Sequence, residues 1–170
     1  MSLIRPERPV DYEPVRALLL TAFGRETQPQ LADRLRATGQ LIVALVAEEK
    51  QRMLGHVMFS KISIVTQDGE AVASVMALLA VLPAFQRLGI GSALVSAGLE
   101  SCRQAGYARV LVAGDPAYFT RFGFVPAMRY GVKAPLAHPE NSFMALELAA
   151  GAFAGASGGV RYGHAFDDLA

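Results

Sequence analysis

The sequence has 170 residues, which is enough for one domain with a full hydrophobic core. Hydrophobic residues make up 52% of the sequence and charged residues 18%, which argues against disorder. The formal net charge of +1 does not indicate nucleic-acid binding. Charged residues between Arg5 and Asp11 leave no visible signal peptide, and no uncharged apolar run is long enough to span a bilayer. The single cysteine, Cys102, fits a reducing compartment. We therefore expect a cytoplasmic monomer or homodimer with no nucleic-acid or membrane partner.

The first half of the chain predicts one short strand, two helices and a run of antiparallel strands. Asp11 is a suitable cap for a helix that runs to about Phe23. A polar turn over Glu48–Arg52 and an Asp-Gly pair at Asp68 mark two hairpin turns between apolar segments. The predicted elements are a strand over 2–5, helices over 11–23 and 29–37, and strands over 41–47, 54–65 and 71–81.

The second half predicts a parallel crossover followed by smaller elements. Ser74–Leu82 is almost wholly apolar, the pattern of a strand that is covered on both faces. Apolar residues then recur at helical spacing up to Gly106, and Arg109–Ala113 has the pattern of a buried strand. The two strands on either side of this helix should therefore be parallel neighbours. Asp115 then begins a short helix. The remaining predicted elements are a strand over 142–148, a Gly/Ala/Ser linker over 151–159, and a tail over 160–170 that docks on the body or on a partner chain.

The stretch Gln86–Ser92 joins the apolar strand to the following helix and has the composition of a nucleotide loop. Gly89 and Gly91 carry no side chain where a ligand could approach the backbone, and the helix start offers unpaired N–H groups that suit a phosphate. A Walker loop would need a lysine before the serine, and a Rossmann fingerprint would need a third glycine at Leu94. Antiparallel hairpins before the loop also disfavour a Rossmann-type protein. The pattern that fits is Gln/Arg-x-x-Gly-x-Gly/Ala.

This run resembles the pyrophosphate loop of the GNAT superfamily of acetyl-CoA-dependent N-acetyltransferases. Further segments are similar to that family, namely Ile4-Arg5-Pro6 with Asp11, Gly55–Ser60 and Gly114–Phe124. The last of these is similar to a bacterial subgroup of predicted N-acetyltransferases with unassigned substrate. The resemblance covers about Leu3–Leu148 and implies an α/β fold with the order β-α-α-β-β-β-α-β-α-β, a mixed sheet with helices on both faces. We expect a GNAT-like acetyltransferase domain over 1–150, and over 151–170 a linker and a tail that packs on the same domain.

The resemblance implies acetyl-CoA as the cosubstrate. Its pyrophosphate would lie on backbone N–H groups of Leu88–Ser92, and Leu79–Val81 would bind the pantetheine amides as an added strand would. In this family the strands beside the main helix splay apart, and a backbone N–H near Leu79 or Ala80 polarises the acetyl carbonyl. The implied binding residues are Leu79, Ala80, Val81, Gln86, Arg87, Leu88, Gly89, Ile90, Gly91 and Ser92. The implied reaction is direct attack by a primary amine of a small molecule or protein, which needs no enzyme nucleophile.

The general acid is predicted less directly. Many family members carry a tyrosine four residues before the glycine of a Gly-Phe pair, and counting back from Gly123 gives Phe119. Tyr118 is its neighbour, about 100° away on a helix. Because Tyr118 is the only phenol on this short helix, we predict it as the catalytic acid that protonates the departing thiolate. Phe119 at the counted position leaves a non-catalytic acyl-CoA-binding regulatory module as the alternative.

The sequence predicts neither a general base nor a metal site. The candidates nearest by topology are Glu26, Glu48, Glu49 and His56. We interpret Glu48 and Glu49 as parts of a solvated turn and His56 as a strand-surface residue; a water relay to bulk solvent is an equally good alternative, so no base is assigned. The three histidines, His56, His138 and His164, have no ligand-like spacing. The acceptor-side segments, which include Phe124–Asn141, show no acidic cluster that would indicate a polyamine.

Overall fold

A mixed β-sheet runs through the molecule, with helices packed on both of its faces. The computed structural model describes residues 2–135 and 142–167. Its strands are β1 (Leu3–Pro6), β2 (Leu41–Glu49), β3 (Arg52–Thr66), β4 (Gly69–Val81), β5 (Arg109–Ala113), β6 (Val125–Pro126), β7 (Val132–Lys133), β8 (Phe143–Glu147) and β9 (Gly158–Arg161). Its helices are α1 (Tyr12–Phe23), α2 (Thr27–Thr38), α3 (Ile90–Gln104) and α4 (Pro116–Phe119). Among these described residues, no helix combines the length and the apolar composition needed to cross a membrane.

The strand order is β1-β2-β3-β4-β5-β8-β6, and β9 pairs with both β3 and β7. Strands β1 to β4 are antiparallel neighbours, whereas β4 and β5 are parallel, with Ser74 opposite Val110. The connection through α3 is therefore the parallel crossover predicted from the apolar strand and the helix that follows it. The α/β fold and the predicted order of elements are confirmed, with β6, β7 and β9 as additional short strands.

Helices α1 and α2 cover one face of the sheet, and α3 covers the other. Leu19 of α1 and Leu35 of α2 are fully buried in one cluster with Met58 of β3. On the opposite face, Leu94 of α3 is fully buried in a cluster with Phe59, the next residue of β3. Successive residues of a strand point to opposite faces, so β3 contributes to both layers of the core.

The C-terminal segment packs against the far end of the sheet. Phe153 is 3% exposed, and its ring stacks on Tyr130 with the centroids 4.6 Å apart. Strand β9 follows, where Val160 lies opposite Ile64 of β3. The Gly/Ala/Ser-rich stretch thus carries a buried aromatic ring and leads into a strand of the sheet.

Two details near the N-terminus differ from the sequence predictions. The side chain of Asp11 does not cap α1, because its carboxylate accepts hydrogen bonds from Arg5 Nη1 and the Arg8 backbone N–H, both at 2.7 Å. The Arg5 guanidinium holds the pKa of Asp11 at about 2. Glu48–Glu49 belongs to β2 rather than to a solvated turn, and Glu48 accepts a bond from Arg5 Nε at 2.8 Å. The turn itself is Lys50–Gln51, with φ values of 50° and 64°.

Candidate functional site

Strands β4 and β5 separate just beyond the point where they pair. Their parallel pairing covers Ser74–Val75 of β4, which continues to its end at Val81. The register of β3 against β4 skips one residue, Ala77, at the same point, so β4 has a bulge there. The result is a widening gap beside the second half of β4, as the family resemblance implied.

The edge of β4 in this gap presents the backbone groups of Leu79 and Val81. The N–H of Leu82 donates to the carbonyl of Leu54 at 2.9 Å, one residue beyond the pairing of Gly55 with Val81 at the end of the β3–β4 register. In an antiparallel pair, alternate residues direct their N–H and C=O groups to the partner strand. Ala80 therefore bonds towards β3, whereas Leu79 and Val81 direct their N–H and C=O groups into the gap.

The loop before α3 presents bare backbone at the same gap. Gly89 is the N-cap residue of α3 and has a φ of +86°, which glycine adopts without steric cost. The first bond of the helix joins the Ala93 N–H to the Gly89 carbonyl at 3.0 Å, so the N–H groups of Ile90–Ser92 have no acceptor within the helix. These free donors and the positive end of the helix dipole suit an anionic group.

Two clefts open on the gap. The first, termed the loop cleft, has a volume of about 570 Å³ and is lined by Leu79, Val81, Gln86, Arg87, Gly89, Gly91, Ser92, Tyr118 and Arg121. Its charged lining residues, among those the structure describes, are the cations Arg87 and Arg121. Arg121 was missed in the sequence, although it lies three residues after Tyr118, a spacing that brings side chains together on a helical turn. Its guanidinium lies 4.3 Å from the centroid of the Tyr118 ring.

The second cleft, termed the strand cleft, lies between β4, β5 and the junction of α1 with α2. Its volume is about 520 Å³, and it is lined by Phe23, Gln28, Met76, Ala77, Leu78, Leu79, Val112, Ala113, Asp115, Tyr118 and Phe119. The predicted acceptor-side loop over Phe124–Asn141 is described only as far as residue 135, so residues 136–141 lie outside the described part of the chain.

Tyr118 stands between the two clefts. It lines both of them, and its Oη lies 3.5 Å from Oγ of Ser92. A Cβ atom added at Gly91 would lie 3.1 Å from the same Oη, which places the hydroxyl directly over the first turn of α3. Phe119 is instead only 7% exposed, and its ring packs where a Cβ atom on Gly114 would be 2.4 Å away. The phenol, and not the neighbouring phenyl ring, therefore reaches the start of α3.

Most of the predicted coenzyme-binding residues line the loop cleft. They are Leu79, Val81, Gln86, Arg87, Gly89, Gly91 and Ser92. Of the other three, the side chain of Ala80 is 4% exposed beneath α1 and α2, that of Ile90 is 8% exposed in the α3 core, and that of Leu88 is 69% exposed. Gln86 Nε2 donates to the Val81 carbonyl at 3.1 Å and so fixes the loop against the end of β4.

The four acid–base candidates are all described residues, and none of them lines either cleft. The prediction that His56 lies on the strand surface is wrong. Its side chain is fully buried, and Nε2 lies 3.2 Å from Oε1 of Glu7. Burial lowers the pKa of His56 against the opposing effect of the Glu7 carboxylate. Glu26 forms an ion pair with Arg16 on the outer surface of α1 and α2.

The thiol of the single cysteine lies apart from the clefts, within the core. Cys102 is fully buried, and burial raises the pKa of its thiol to about 11, so the thiol stays protonated. Its Sγ lies 3.5 Å from Oγ of Ser74 within the core. Over residues 2–135 and 142–167, no group of three His, Cys, Asp or Glu side chains is arranged to hold a metal ion. His138 lies outside the described residues.

A splayed pair of parallel strands with a glycine-rich helix start between them defines a class, that of the acyl-CoA N-acyltransferases. The family model for acetyltransferases of the GNAT family matches residues 10–124. The chain belongs to the GNAT family and is an acetyl-CoA-dependent acyltransferase. This confirms the resemblance found in the loop sequence.

Related proteins extend over the whole chain. The uncharacterized N-acetyltransferase YhbS of Escherichia coli K12 is 35% identical over 166 residues, which are 97% of this chain and 98% of YhbS. The uncharacterized N-acetyltransferase YjhQ of the same strain is 29% identical over 134 residues, 77% of this chain and 74% of YjhQ. A crystal structure of E. coli YhbS in complex with CoA superposes with a TM-score of 0.92 at 34% identity, covering 99% of this chain and 93% of that one. The crystal structure of a GNAT acetyltransferase from Brucella melitensis in complex with acetyl-CoA superposes with a TM-score of 0.81 at 32% identity, covering 98% of this chain and 99% of that one.

Proposed function

We propose that this protein moves the acetyl group of acetyl-CoA to a primary amine of a small molecule or protein by direct attack. The observation that carries the proposal is that Leu79 and Tyr118 line both the loop cleft and the strand cleft. Two substrates that enter from opposite sides would meet at these residues, without a covalent enzyme intermediate. We also expect the cytoplasm as the compartment, because the one cysteine is free.

The loop cleft suits the coenzyme. The cations Arg87 and Arg121 line this cleft and, with the N–H groups of Ile90–Ser92, would bind its phosphates. The outward backbone groups of Leu79 and Val81 offer the pantetheine amides the hydrogen bonds of an added strand. That the YhbS and Brucella structures are complexes with CoA and acetyl-CoA supports the same assignment.

The strand cleft suits the amine, and the junction suits the transfer. A primary amine is an ammonium ion at neutral pH, so it first gives one proton to water. The neutral nitrogen then forms its bond to the acetyl carbon as the carbon–sulfur bond breaks. The Leu79 N–H, which points into the gap, stabilises the charge that develops on the carbonyl oxygen. Tyr118 donates its hydroxyl proton to the departing thiolate, and the nitrogen releases its own proton to water.

The non-catalytic alternative depended on Phe119 occupying the position of the acid. The ring of Phe119 is buried, whereas the hydroxyl of Tyr118 lies 3.5 Å from Ser92 at the mouth of α3. This geometry favours a working general acid and so favours the enzyme.

Replacement of the phenol hydroxyl tests the proposal. Tyr118→Phe should lower kcat by about 10²-fold, the lower end for general acid catalysis. The Kd of coenzyme A from isothermal titration should hardly change, because the hydroxyl acts mainly in the transition state. Tyr130→Phe is the matched control, since Tyr130 stacks on Phe153 and lines neither cleft.

A Tyr118→Phe enzyme with wild-type kcat on any accepted amine would contradict the assignment of the acid. A wild-type protein that binds acetyl-CoA but acetylates none of a broad panel of amines would instead favour the acyl-CoA-binding module.

A further inference from the structure

The strand cleft contains a hydrogen-bond acceptor to which no described residue donates. Gln28 lies in the first turn of α2 and lines the cleft. Its Oε1 atom is buried and has no hydrogen-bond partner among the described residues. Buried side-chain oxygens are seldom left without a donor, so the missing donor should come from the molecule that fills the cleft.

The other lining groups determine which kind of donor fits. Asp115 is the charged residue of the strand-cleft lining that the structure describes, and its Oδ1 accepts the Ala117 N–H at 3.0 Å as the cap of α4. The walls are apolar and partly aromatic, with Phe23, Met76 and Phe119 among them. The described lining therefore offers acceptors, a negative charge and apolar surface, and contains no lysine or arginine.

We propose that Gln28 Oε1 accepts a hydrogen bond from the primary ammonium group of the acceptor, and that Gln28 and Asp115 together select cationic amines with an apolar or aromatic body. The inference rests on the proposed function, because it takes the strand cleft as the acceptor site. A primary ammonium has three N–H donors and no acceptor, which complements this lining. A substrate that also carries a carboxylate would bring a second negative charge into the cleft that Asp115 lines, so such substrates are selected against.

Two variants of Gln28 separate this role from simple packing. Gln28→Met removes the acceptor at similar size and should raise KM for the amine by about 10- to 100-fold, the loss expected for a hydrogen bond to a charged group. Gln28→Glu keeps an acceptor of the same shape and adds a charge, so its KM for the amine should equal or fall below the wild-type value. KM for acetyl-CoA should not change in either variant. Gln30→Met, on the exposed side of the same helix, is the control.

The inference is overturned if Gln28→Met leaves KM for the amine unchanged. It is also overturned if Gln28→Glu raises that KM as much as Gln28→Met does, because the amide nitrogen would then be the group that contacts the substrate. In either case, turnover by the wild type would leave the proposed function intact.

A binding experiment provides a readout that does not need turnover. The CoA-saturated protein is titrated with 2-phenylethylamine and with 3-phenylpropanoate, which carry a positive and a negative group on similar bodies. The amine should bind at least about 10-fold more tightly, and Asp115→Asn, which keeps the helix cap, should reduce the difference. Binding of the amine without acetylation of any amine would contradict the proposed function alone. Equal binding of the carboxylate, or no binding of the amine, would overturn the inference.

Discussion

A buried charged cluster between the N-terminal segment and the sheet allows a sharp test of the fold. The Glu7 carboxylate contacts both Arg36 of α2 and His56 of β3. Its Oε1 lies 2.6 Å from Nη2 of Arg36, and its Oε2 lies 3.2 Å from Nε of Arg36. The same Oε1 lies 3.2 Å from Nε2 of His56. The side chains of Glu7, Arg36 and His56 are 3%, 10% and 0% exposed. Burial raises the pKa of Glu7, but His56 and Arg36 outweigh it and hold the pKa below its usual value.

Glu7→Gln removes the charge that compensates Arg36 while nearly keeping the shape of the side chain. Loss of one partner from a buried ion pair costs about 3–5 kcal/mol, because the other charge is left uncompensated. Arg36 keeps a second partner, Asp33, at 3.1 Å, and that partner is 59% exposed. We therefore expect the free energy of unfolding to fall by about 3 kcal/mol, the lower end of that range. For a domain of this size, this corresponds to a decrease of about 6–12 °C in Tm.

Urea unfolding at pH 7 measures this loss, with unchanged m values as the check that the transition remains two-state. Glu100→Gln is the matched control, because Glu100 pairs with Arg103 on the exposed face of α3, where the side chains are 50% and 56% exposed. An exposed pair of this kind contributes less than about 1 kcal/mol. If Glu7→Gln costs no more than Glu100→Gln, the buried cluster does not stabilise the fold and the reasoning is refuted.

Other predictions concern the phosphate site and the response to acid. Gly91→Val should abolish coenzyme A binding in a folded protein, since a Cβ atom there would lie 3.1 Å from Oη of Tyr118 at the helix start. Gly89→Val should also abolish binding, because the φ of Gly89 is +86°. Unchanged affinity in isothermal titration for either variant would contradict the phosphate site. Arg87→Ala should weaken coenzyme A binding by about 1–2 kcal/mol and spare a pantetheine fragment without phosphates, and equal losses would remove Arg87 from the phosphate site. The folded pKa of His56 lies below its unfolded value of 6.5, so the unfolded chain binds the extra proton and stability should fall as the pH falls below 6.5. Urea midpoints at pH 7, 6 and 5 test this, and His56→Gln should remove that part of the slope.

The choice between Tyr118 and Phe119 depends on local helix geometry that counting along the sequence does not capture. The position four residues before Gly123 assumes one continuous helix, whereas α4 has four residues and is followed by a 3-10 turn over Thr120–Phe122. A 3-10 turn has about 3.0 residues per turn instead of 3.6, so the direction of each side chain shifts relative to a uniform helix. The composition of the segment shows that Tyr118 is its one phenol, but the direction of that side chain depends on a change of helix type that the sequence does not reveal.

The gap beside β4 and the burial of His56 have a similar cause. The run Ser74–Leu82 is almost wholly apolar, so it predicts a covered strand but cannot show that the register skips Ala77. His56 reads as a surface residue of an alternating strand because its partner, Glu7, is far away in the sequence. Local periodicity predicted most of the elements, whereas the features that depend on contacts between distant segments required the structure.

The two clefts differ in charge although the chain as a whole carries a formal net charge of only +1. Among the described lining residues, Arg87 and Arg121 give the loop cleft its charge, and Asp115 gives the strand cleft the opposite one. On the proposed assignment of the two clefts, fields of opposite sign at the two mouths favour phosphates on one side and an ammonium group on the other, which would give each substrate its own direction of entry. Tyr118 stands where the two paths meet, and its hydroxyl lies on the side of α3, where the thiolate would depart. In the proposed reaction, this arrangement would direct the Tyr118 hydroxyl to the sulfur and away from the amine.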